Sequence, residues 1–345
     1  RAIQTLPEVL AKVRRTGDPC VNTQDLVDFE SQGARRADQV RAFVTIMEGC
    51  NNYCSFCIVP TTRGLEIYRP VAATVDEIRG LGLRGYREVT LLGQNVNSWI
   101  DPESRMEFPE LLLAIDESLR RTEAEDGRSG VERVRFLTSH PKDLSPRLID
   151  AMATADKVAK HLHLPVQSGS NRILSDMNRH YTAESYFEQV AALRRAVPGV
   201  GLSTDLIVGF PGETDADFEA TLELVRNVEY DSFYSFEYSP RPGTAAMSQY
   251  EDDVPAEIKR TRLLELQRAG QSIQARRNAA WGGQETEVLV DSVSKRSDED
   301  VAGRTSSNHI VNMPGDTSLI GKLVAVRVMS HAAHSVYGEI IGAPR

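Results

Sequence analysis

Cysteine is scarce in this 345-residue chain: there are four, and three of them, Cys50, Cys54 and Cys57, crowd into one short loop. That pattern excludes a disulfide framework. It also leaves no second C-x2-C knuckle to complete a four-ligand zinc site, because Cys20 stands alone. No apolar run approaches the roughly 18 residues of a membrane span. Positive net charge is missing too: 40 Lys and Arg against 49 Asp and Glu give −9. Bulk electrostatic binding of nucleic acid is therefore disfavoured, while a local basic groove stays open. There is no phosphate loop, since Gly209-Phe210-Pro211-Gly212-Glu213 lacks a Gly-Lys-Ser/Thr ending. No G-x-S-x-G elbow makes Ser139 and His140 a hydrolase pair. No internal repeat or low-complexity tract stands out. An initiator methionine is absent as well; the chain starts at Arg1 and reads as a fragment whose N-terminal address, if any, is invisible.

An apolar content of 41% and a charged content of 26% are ordinary for a globular protein long enough for one large and one small domain. Leu6-Pro7 could open a short helix that Gly17-Asp18-Pro19 breaks, with linker through Gln32-Gly33. From about residue 41, strands and helices alternate. Ala42–Ile46, Glu88–Leu92, Val134–Leu137, His161–Leu164, Leu202–Val208 and Phe233–Tyr238 read as strands. Helices are expected from a Thr74/Glu77 capping box, around Leu111 and Ile115, after Ser145-Pro146, after Thr182, and after Thr214/Asp217. Such alternation argues for an α/β fold with a parallel sheet, and the polar motifs fall just after strands, where such folds place their sites. A long helix over about 255–278 carries Ile258, Leu263, Leu266 and Ile273. Beyond it, Glu285–Val290, Asn308–Val311 and Leu323–Val328 suggest a small β-barrel. The chain thus divides into 1–36, 37–277 and 278–345.

The cysteine loop reads Met47-Glu48-Gly49-Cys50-Asn51-Asn52-Tyr53-Cys54-Ser55-Phe56-Cys57, a C-x3-C-x2-C spacing. Three close thiolates can hold three irons of a 4Fe–4S cube and leave the fourth open. An open iron can bind a small molecule through its amine and carboxylate, as S-adenosylmethionine offers. The bland reading, buried cysteines as small hydrophobes, fits poorly with Asn51, Asn52 and Ser55 among them.

With these residues the chain resembles the radical S-adenosylmethionine superfamily and, within it, the methylthiotransferases of the MiaB type. The resemblance also rests on Thr62-Arg63-Gly64, Leu91-Leu92-Gly93-Gln94-Asn95-Val96-Asn97 and Thr138-Ser139-His140-Pro141. It continues through His163-Leu164-Pro165-Val166-Gln167-Ser168-Gly169-Ser170, Asp205–Thr214 and Arg241-Pro242-Gly243-Thr244. It implies a partial (βα)6 radical barrel followed by a TRAM domain, a small all-β barrel taken to bind tRNA. It implies a 4Fe–4S cluster on Cys50, Cys54 and Cys57 that cleaves S-adenosylmethionine to a 5′-deoxyadenosyl radical. A second cluster is expected in the family on three cysteines of an N-terminal domain. Those cysteines are not in this sequence, Cys20 does not match them, and residues 1–36 read as that domain's remnant and linker. This chain alone is therefore expected not to complete sulfur insertion.

In the superfamily the Gly93-Gln94-Asn95 position serves the amino group of S-adenosylmethionine; alone, such a tripeptide is a turn about as often as a site. Gln167, Ser168 and Asp205 could meet ribose hydroxyls, although Ser168-Gly169-Ser170 could simply cap the next helix. Gly209 and Phe210 could meet adenine by backbone and ring face. Arg63 or Arg69 could serve the carboxylate of S-adenosylmethionine or a tRNA phosphate, or form a structural ion pair. Ser139 and His140 are substrate-side contacts or barrel packing. Tyr234, Tyr238 and Arg241 could receive a flipped base, against the commoner structural role of aromatics. Lys295, Arg296 and Arg304 are candidate phosphate contacts, or a solvated loop.

The implied reaction replaces the C2 hydrogen of isopentenyladenosine at position 37 of tRNA with a methylthio group. One rival is a family neighbour acting on threonylcarbamoyladenosine in tRNA or on a ribosomal protein aspartate. The other is a non-catalytic tRNA-binding protein with a structural cluster. The expected partners are the tRNA anticodon stem-loop and an electron donor such as a flavodoxin or ferredoxin, in a cytoplasmic monomer without membrane attachment.

Overall fold

A computed structural model describes residues 5–20, 36, 38–126 and 130–345; the linker expected through Gln32-Gly33 lies outside the described residues. Helix α1 (Leu6–Thr16) has proline in its first turn and stops where Gly17 turns left-handed at φ 71°, as Leu6-Pro7 and Gly17-Asp18-Pro19 suggest.

Strand β1 (Arg41–Thr45) leads into the cysteine loop. The loop's flanks form a two-residue antiparallel pair, β2 (Met47–Glu48) and β3 (Ile67–Tyr68), around the short helix α2 (Val59–Arg63). Helix α3 (Val71–Leu83) returns the chain to β4 (Glu88–Leu92), α4 (Phe108–Asp126) to β5 (Arg133–Phe136), and α5 (Pro146–Thr154) to β6 (His161–His163). Helices α6 (Asn171–Asp176) and α7 (Ala183–Ala196) precede β7 (Gly201–Val208), and α8 (Asp215–Val228) precedes β8 (Ser232–Glu237).

The strands β1-β4-β5 and β6-β7-β8 form two parallel sheets. Val134 joins them: its N–H donates to the Lys157 carbonyl at 2.7 Å and its carbonyl accepts from Ala159 N at 2.9 Å. The result is a six-unit βα wall, open between β1 and β8, which pair on one side only among the described residues. Both faces of β4 and β5 are buried, the polar Glu88, Thr90, Arg133 and Arg135 included. Val89, Leu91, Val134 and Phe136 pack with Ile78, Leu81, Leu111 and Ile115 of the covering helices.

Several sequence signals act as read. Ser145 accepts from Leu148 N at 3.2 Å to cap α5, and Thr182 and Thr214 open α7 and α8 with capping boxes. The Thr74/Glu77 box does not form. Helix α3 starts one turn earlier, behind the extended Pro70, so Thr74 lies inside it and donates to the Pro70 carbonyl at 3.1 Å. Glu77 accepts instead from Arg36 and Arg69.

After α9 (Ala245–Gln249), the long helix α10 (Ala256–Ala279) packs along β8. Leu266 and Ile273 are buried as the apolar spacing suggests, but Ile258 is exposed. Its anchors near the N-terminus are charged: Arg262 donates to Glu213 Oε2 at 2.9 Å and Lys259 to Asp252 Oδ1 at 2.5 Å.

Strands β9 (Glu285–Val293), β10 (Asp300–Thr305), β11 (Ile310–Pro314), β12 (Leu323–His331) and β13 (Val336–Ile340) close a barrel in the order β10-β11-β13-β12-β9. The sequence marks only three of the five. Gly303 and Gly338 interrupt the apolar pattern of β10 and β13, and both are needed. A Cβ at Gly303 would stand 2.2 Å from the Leu289 carbonyl oxygen, and one at Gly338 2.4 Å from Val326 Cγ1.

The tip of the β10–β11 hairpin seats against the N-terminal ends of the parallel strands. Arg133 Nη1 donates to the Arg304 carbonyl and Arg135 Nη2 to the Thr305 carbonyl, each at 2.7 Å, and Lys160 N donates to Ser306 Oγ at 2.9 Å. The motif loops lie at the opposite, C-terminal end, which stays accessible. Among the described residues, no helix is long and apolar enough to cross a membrane.

Candidate functional site

The cysteine loop is held from both sides. Gly49, at φ 83°, donates to Gln94 Oε1 at 2.7 Å, and Cys50 N donates to the Gly64 carbonyl at 3.3 Å. Ser55 N donates to the Met177 carbonyl at 3.0 Å and Asn178 Nδ2 to the Tyr53 carbonyl at 2.9 Å, so the connection between α6 and α7 clamps the far side. The loop opens on a cavity of about 170 Å³ at the C-terminal ends of the strands. Cys50, Cys54, Cys57, Gln94, Asn95, Ser139, His140, His163, Gln167, Arg179 and Asp205 line it.

Of the sequence candidates, the structure therefore brings the three cysteines together with Gln94, Asn95, His140, Gln167 and Asp205. Asn95 is buried; its Nδ2 donates to Asp143 Oδ2 at 2.8 Å, and its Oδ1 finds no hydrogen-bond partner among the described residues. Ser139 Oγ is likewise buried without one. Two orphaned polar atoms on one cavity wall cost free energy unless a ligand satisfies them. His163 Nε2 stands 3.4 Å from Asp205 Oδ2, and Nδ1 meets Ser203 Oγ at 2.9 Å. Gln167 adopts a left-handed φ of 73°, its N–H donating to the Asp205 carbonyl at 2.9 Å.

Burial pushes the Cys50 thiol up to about 11 and raises that of Cys57 as well. Both stay protonated at neutral pH until a metal takes the sulfur and releases the proton. Burial, with Arg179 and Lys142 nearby, pushes His140 down to about 2. His140 is therefore neutral. Its Nδ1 accepts from Lys142 N at 3.2 Å, which leaves the proton on Nε2, 4.0 Å from Cys54 Sγ. Among the described residues, no three His, Cys, Asp or Glu side chains already close on one metal position. The chain offers a thiol-only donor set on a cavity wall with unsatisfied polar atoms, which suits a thiolate-ligated iron–sulfur group and a polar co-ligand.

Other candidates stand elsewhere. Gly93 is required by packing rather than by a ligand, because a Cβ there would lie 2.3 Å from Met47 Cγ. Ser168 is fully buried: its Oγ meets Thr221 Oγ1 and accepts from Ser170 N, while Ser170 caps α6. Phe210 is also fully buried, edge-on to Tyr238 and Tyr250, so its ring faces core rather than cavity. Gly209 backs onto the Lys259 stem and donates to Glu213 Oε2 at 2.7 Å.

Arg69 is the structural ion pair, bound to Glu77 and to the Ala73 carbonyl, whereas Arg63 is exposed at the end of α2. Tyr238 is buried against Phe210, but Tyr234 is 60% exposed. Arg241 is exposed in the turn after β8, and Lys295 and Arg296 in the turn between β9 and β10. The Arg304 side chain is tied within its own hairpin, Nη1 donating to Asn308 Oδ1 at 3.2 Å, and its carbonyl accepts from Arg133 across the interface.

Sequence reasoning missed Arg179. It follows α6 in Met177-Asn178-Arg179-His180-Tyr181, where Asn178 and His180 both take positive φ. A polar, left-handed connection between two helices was the available signal.

Comparison with known proteins matches residues 44–225 to the radical SAM superfamily and residues 282–341 to the TRAM domain. A tRNA-2-methylthio-N(6)-dimethylallyladenosine synthase of Clostridium botulinum is 45% identical over 98% of this chain and 74% of its own length. The enzyme of the same name from Moorella thermoacetica is 44% identical over 98% of this chain and 74% of its own length. Among solved structures, a radical S-adenosylmethionine methyltransferase from Kitasatospora setae aligns with a TM-score of 0.49 and 21% identity, covering 60% of this chain and 38% of that one.

Proposed function

This chain belongs to the tRNA-2-methylthio-N(6)-dimethylallyladenosine synthase family within the radical SAM superfamily, and from that we infer a tRNA methylthiotransferase that acts on isopentenyladenosine. The observation that carries the reading is the cavity where the three thiols meet Gln94, Asn95, Gln167 and Asp205. Cys50, Cys54 and Cys57 would hold a 4Fe–4S cluster with one open iron. When bound, that cluster would supply the electron that makes S-adenosylmethionine a radical source.

The chain's own part is to bind, orient and exclude water. Asn95 Oδ1, buried without a partner among the described residues, suits the amino group of S-adenosylmethionine as a donor. Asp205, braced by His163 at 3.4 Å, offers carboxylate oxygens to ribose hydroxyls. The accessible C-terminal end of the wall admits a base turned out of the anticodon loop. The TRAM barrel, from about residue 278, supplies the second tRNA surface. The proposal extends to a cytoplasmic monomer fed by a flavodoxin- or ferredoxin-type carrier. Tyr53 in the cysteine loop is 55% exposed, which supports access for a carrier there.

The test is anaerobic release of 5′-deoxyadenosine from S-adenosylmethionine after cluster reconstitution. Release that an isopentenylated anticodon stem-loop stimulates, and that Cys50→Ala abolishes, is the expected result. A fully loaded cluster that releases none with strong reductant and stem-loop present would overturn the reading.

A further inference from the structure

Two aromatic side chains of β8 turn toward the inside of the parallel wall without being covered there. Their neighbours on the strand face α10: Phe233 packs on Gly270 so closely that a Cβ there would not fit, and Ser235 Oγ accepts from Gln267 Nε2 at 3.4 Å. Alternation therefore puts Tyr234 and Phe236 on the inner face. Their β7 register partners are Asp205, which lines the cavity, and Ile207. Glu88, Arg135, His163, Ser203 and Asp205 make most of that inner face polar. Among the described residues, its exposed large apolar side chains, Phe43 on β1 and Tyr234 and Phe236 on β8, stand on the two strands at the gap. Phe236 is 52% exposed and ends an apolar strip. Its partner Ile207 packs, like Phe56, on the cluster of Ile173, Met177, Phe210 and Tyr238, and Phe56 lines the cavity beside Cys54 and Cys57. An uncovered ring continuous with a polar cavity offers an apolar substituent its seat.

We propose that Phe236, backed by Ile207, seats the dimethylallyl chain of the substrate base and so sets the preference for prenylated over unmodified adenosine. The proposal rests on the isopentenyladenosine reading given above. The dimethylallyl chain is a branched hydrocarbon with no hydrogen-bonding atom. Laid on the polar side of the wall it would strip water from charged groups and give nothing back. Laid on Phe236 and Ile207 it loses water against apolar surface only. Tyr234 and Phe236 lie on one face two residues apart, roughly 7 Å along the strand. A base held at Tyr234 therefore has the Phe236 ring within reach of its N6 substituent. Burying a small apolar group in a fitted site favours binding by roughly tenfold or more.

The experiment measures, by fluorescence anisotropy on anaerobically reconstituted protein, the affinity for two labelled anticodon stem-loops that differ only in carrying isopentenyladenosine or plain adenosine at the target position. Wild type is compared with Phe236→Ala, Phe236→Gln and Phe236→Leu. Wild type is expected to prefer the prenylated stem-loop by roughly tenfold. Phe236→Ala and Phe236→Gln should lose most of that preference while binding the unmodified stem-loop as wild type does, and Phe236→Leu, still apolar, should keep much of it. A merely structural role for the ring would weaken both stem-loops alike, and that result would overturn the proposal. So would a wild-type preference retained in Phe236→Ala, because the chain would then lie elsewhere. If Phe236→Ala does not fold, Phe236→Gln decides by the same two criteria. Equal binding of both stem-loops by wild type would overturn the isopentenyladenosine reading itself, and this proposal with it.

Discussion

Arg135 on β5 and Thr305 at the end of β10 are joined by a 2.7 Å hydrogen bond from guanidinium Nη2 to carbonyl oxygen. It fastens the C-terminal barrel to the floor of the parallel one. The same guanidinium donates through Nε to Glu88 Oε2 at 2.8 Å, and both side chains are at least nine-tenths buried. Removing one partner of such a pair leaves an uncompensated buried charge. Arg135→Ala is therefore expected to cost about 3–5 kcal/mol, read as a lower urea midpoint. An unchanged midpoint, with proteolysis between residues 279 and 285 no faster, would refute this account of the interface.

Gly49 sets the entry to the cysteine loop. Its φ is 83°, and an added Cβ would stand 2.2 Å from the Leu65 carbonyl oxygen, which is backbone and cannot swing aside. Gly49→Ala should displace Cys50 and lower iron incorporation severalfold while the helical circular dichroism stays near that of wild type. Full iron loading in this variant would contradict it.

What was legible in the sequence follows a physical division. Thiol identity and spacing are the chemistry itself, so Cys50, Cys54 and Cys57 could be read directly. Caps such as Thr182 and Thr214 act within three residues of themselves, so they too were readable. Phe210 and Arg179 were not. Whether a loop ring faces a ligand or a core, and which sulfur a guanidinium meets, depend on elements far apart in the chain. Cys54 and Arg179 are separated by 125 positions. Thr74 shows a local rule losing to a stronger neighbour: Pro70 had already started the helix.

His161 makes stability depend on pH. Its ring is buried, with Nε2 3.1 Å from Ser203 Oγ. Burial, helped by Arg135 and His163, pushes it down to about 3 from the usual 6.5. Below pH 6.5 the unfolded chain takes up a proton that the folded chain refuses, so acid favours unfolding. The loss begins near pH 6.5 and is complete once pH falls through the folded value near 3. Its slope approaches about 1.4 kcal/mol per pH unit. His161→Gln should flatten the urea midpoint between pH 7 and pH 5 relative to wild type. Parallel pH profiles for the two chains would show that the imidazole is not responsible.

Tyr234 within β8 and Tyr238 just after its end have opposite fates, and they predict opposite phenotypes. Tyr234 is 60% exposed, opposite Asp205 in the β7–β8 register and 6.3 Å from the His163 ring. It stands beside His163, which lines the cavity, on the strand β8 where the wall is open. Tyr238 is 6% exposed, with its ring 5.1 Å from Phe210. Stacking of a nucleobase on an aromatic side chain contributes about 1–3 kcal/mol. Tyr234→Ala should therefore weaken binding of an isopentenylated anticodon stem-loop by roughly 5- to 150-fold, with the urea midpoint hardly moved. Tyr238→Ala should instead lose about 3–5 kcal/mol of stability as a large core ring is removed, and what remains folded should bind the stem-loop nearly as wild type does. Fluorescence anisotropy with a labelled stem-loop, run beside urea denaturation, separates the two. Equal binding losses in both variants would mean that exposure on β8 does not mark the base-contacting face.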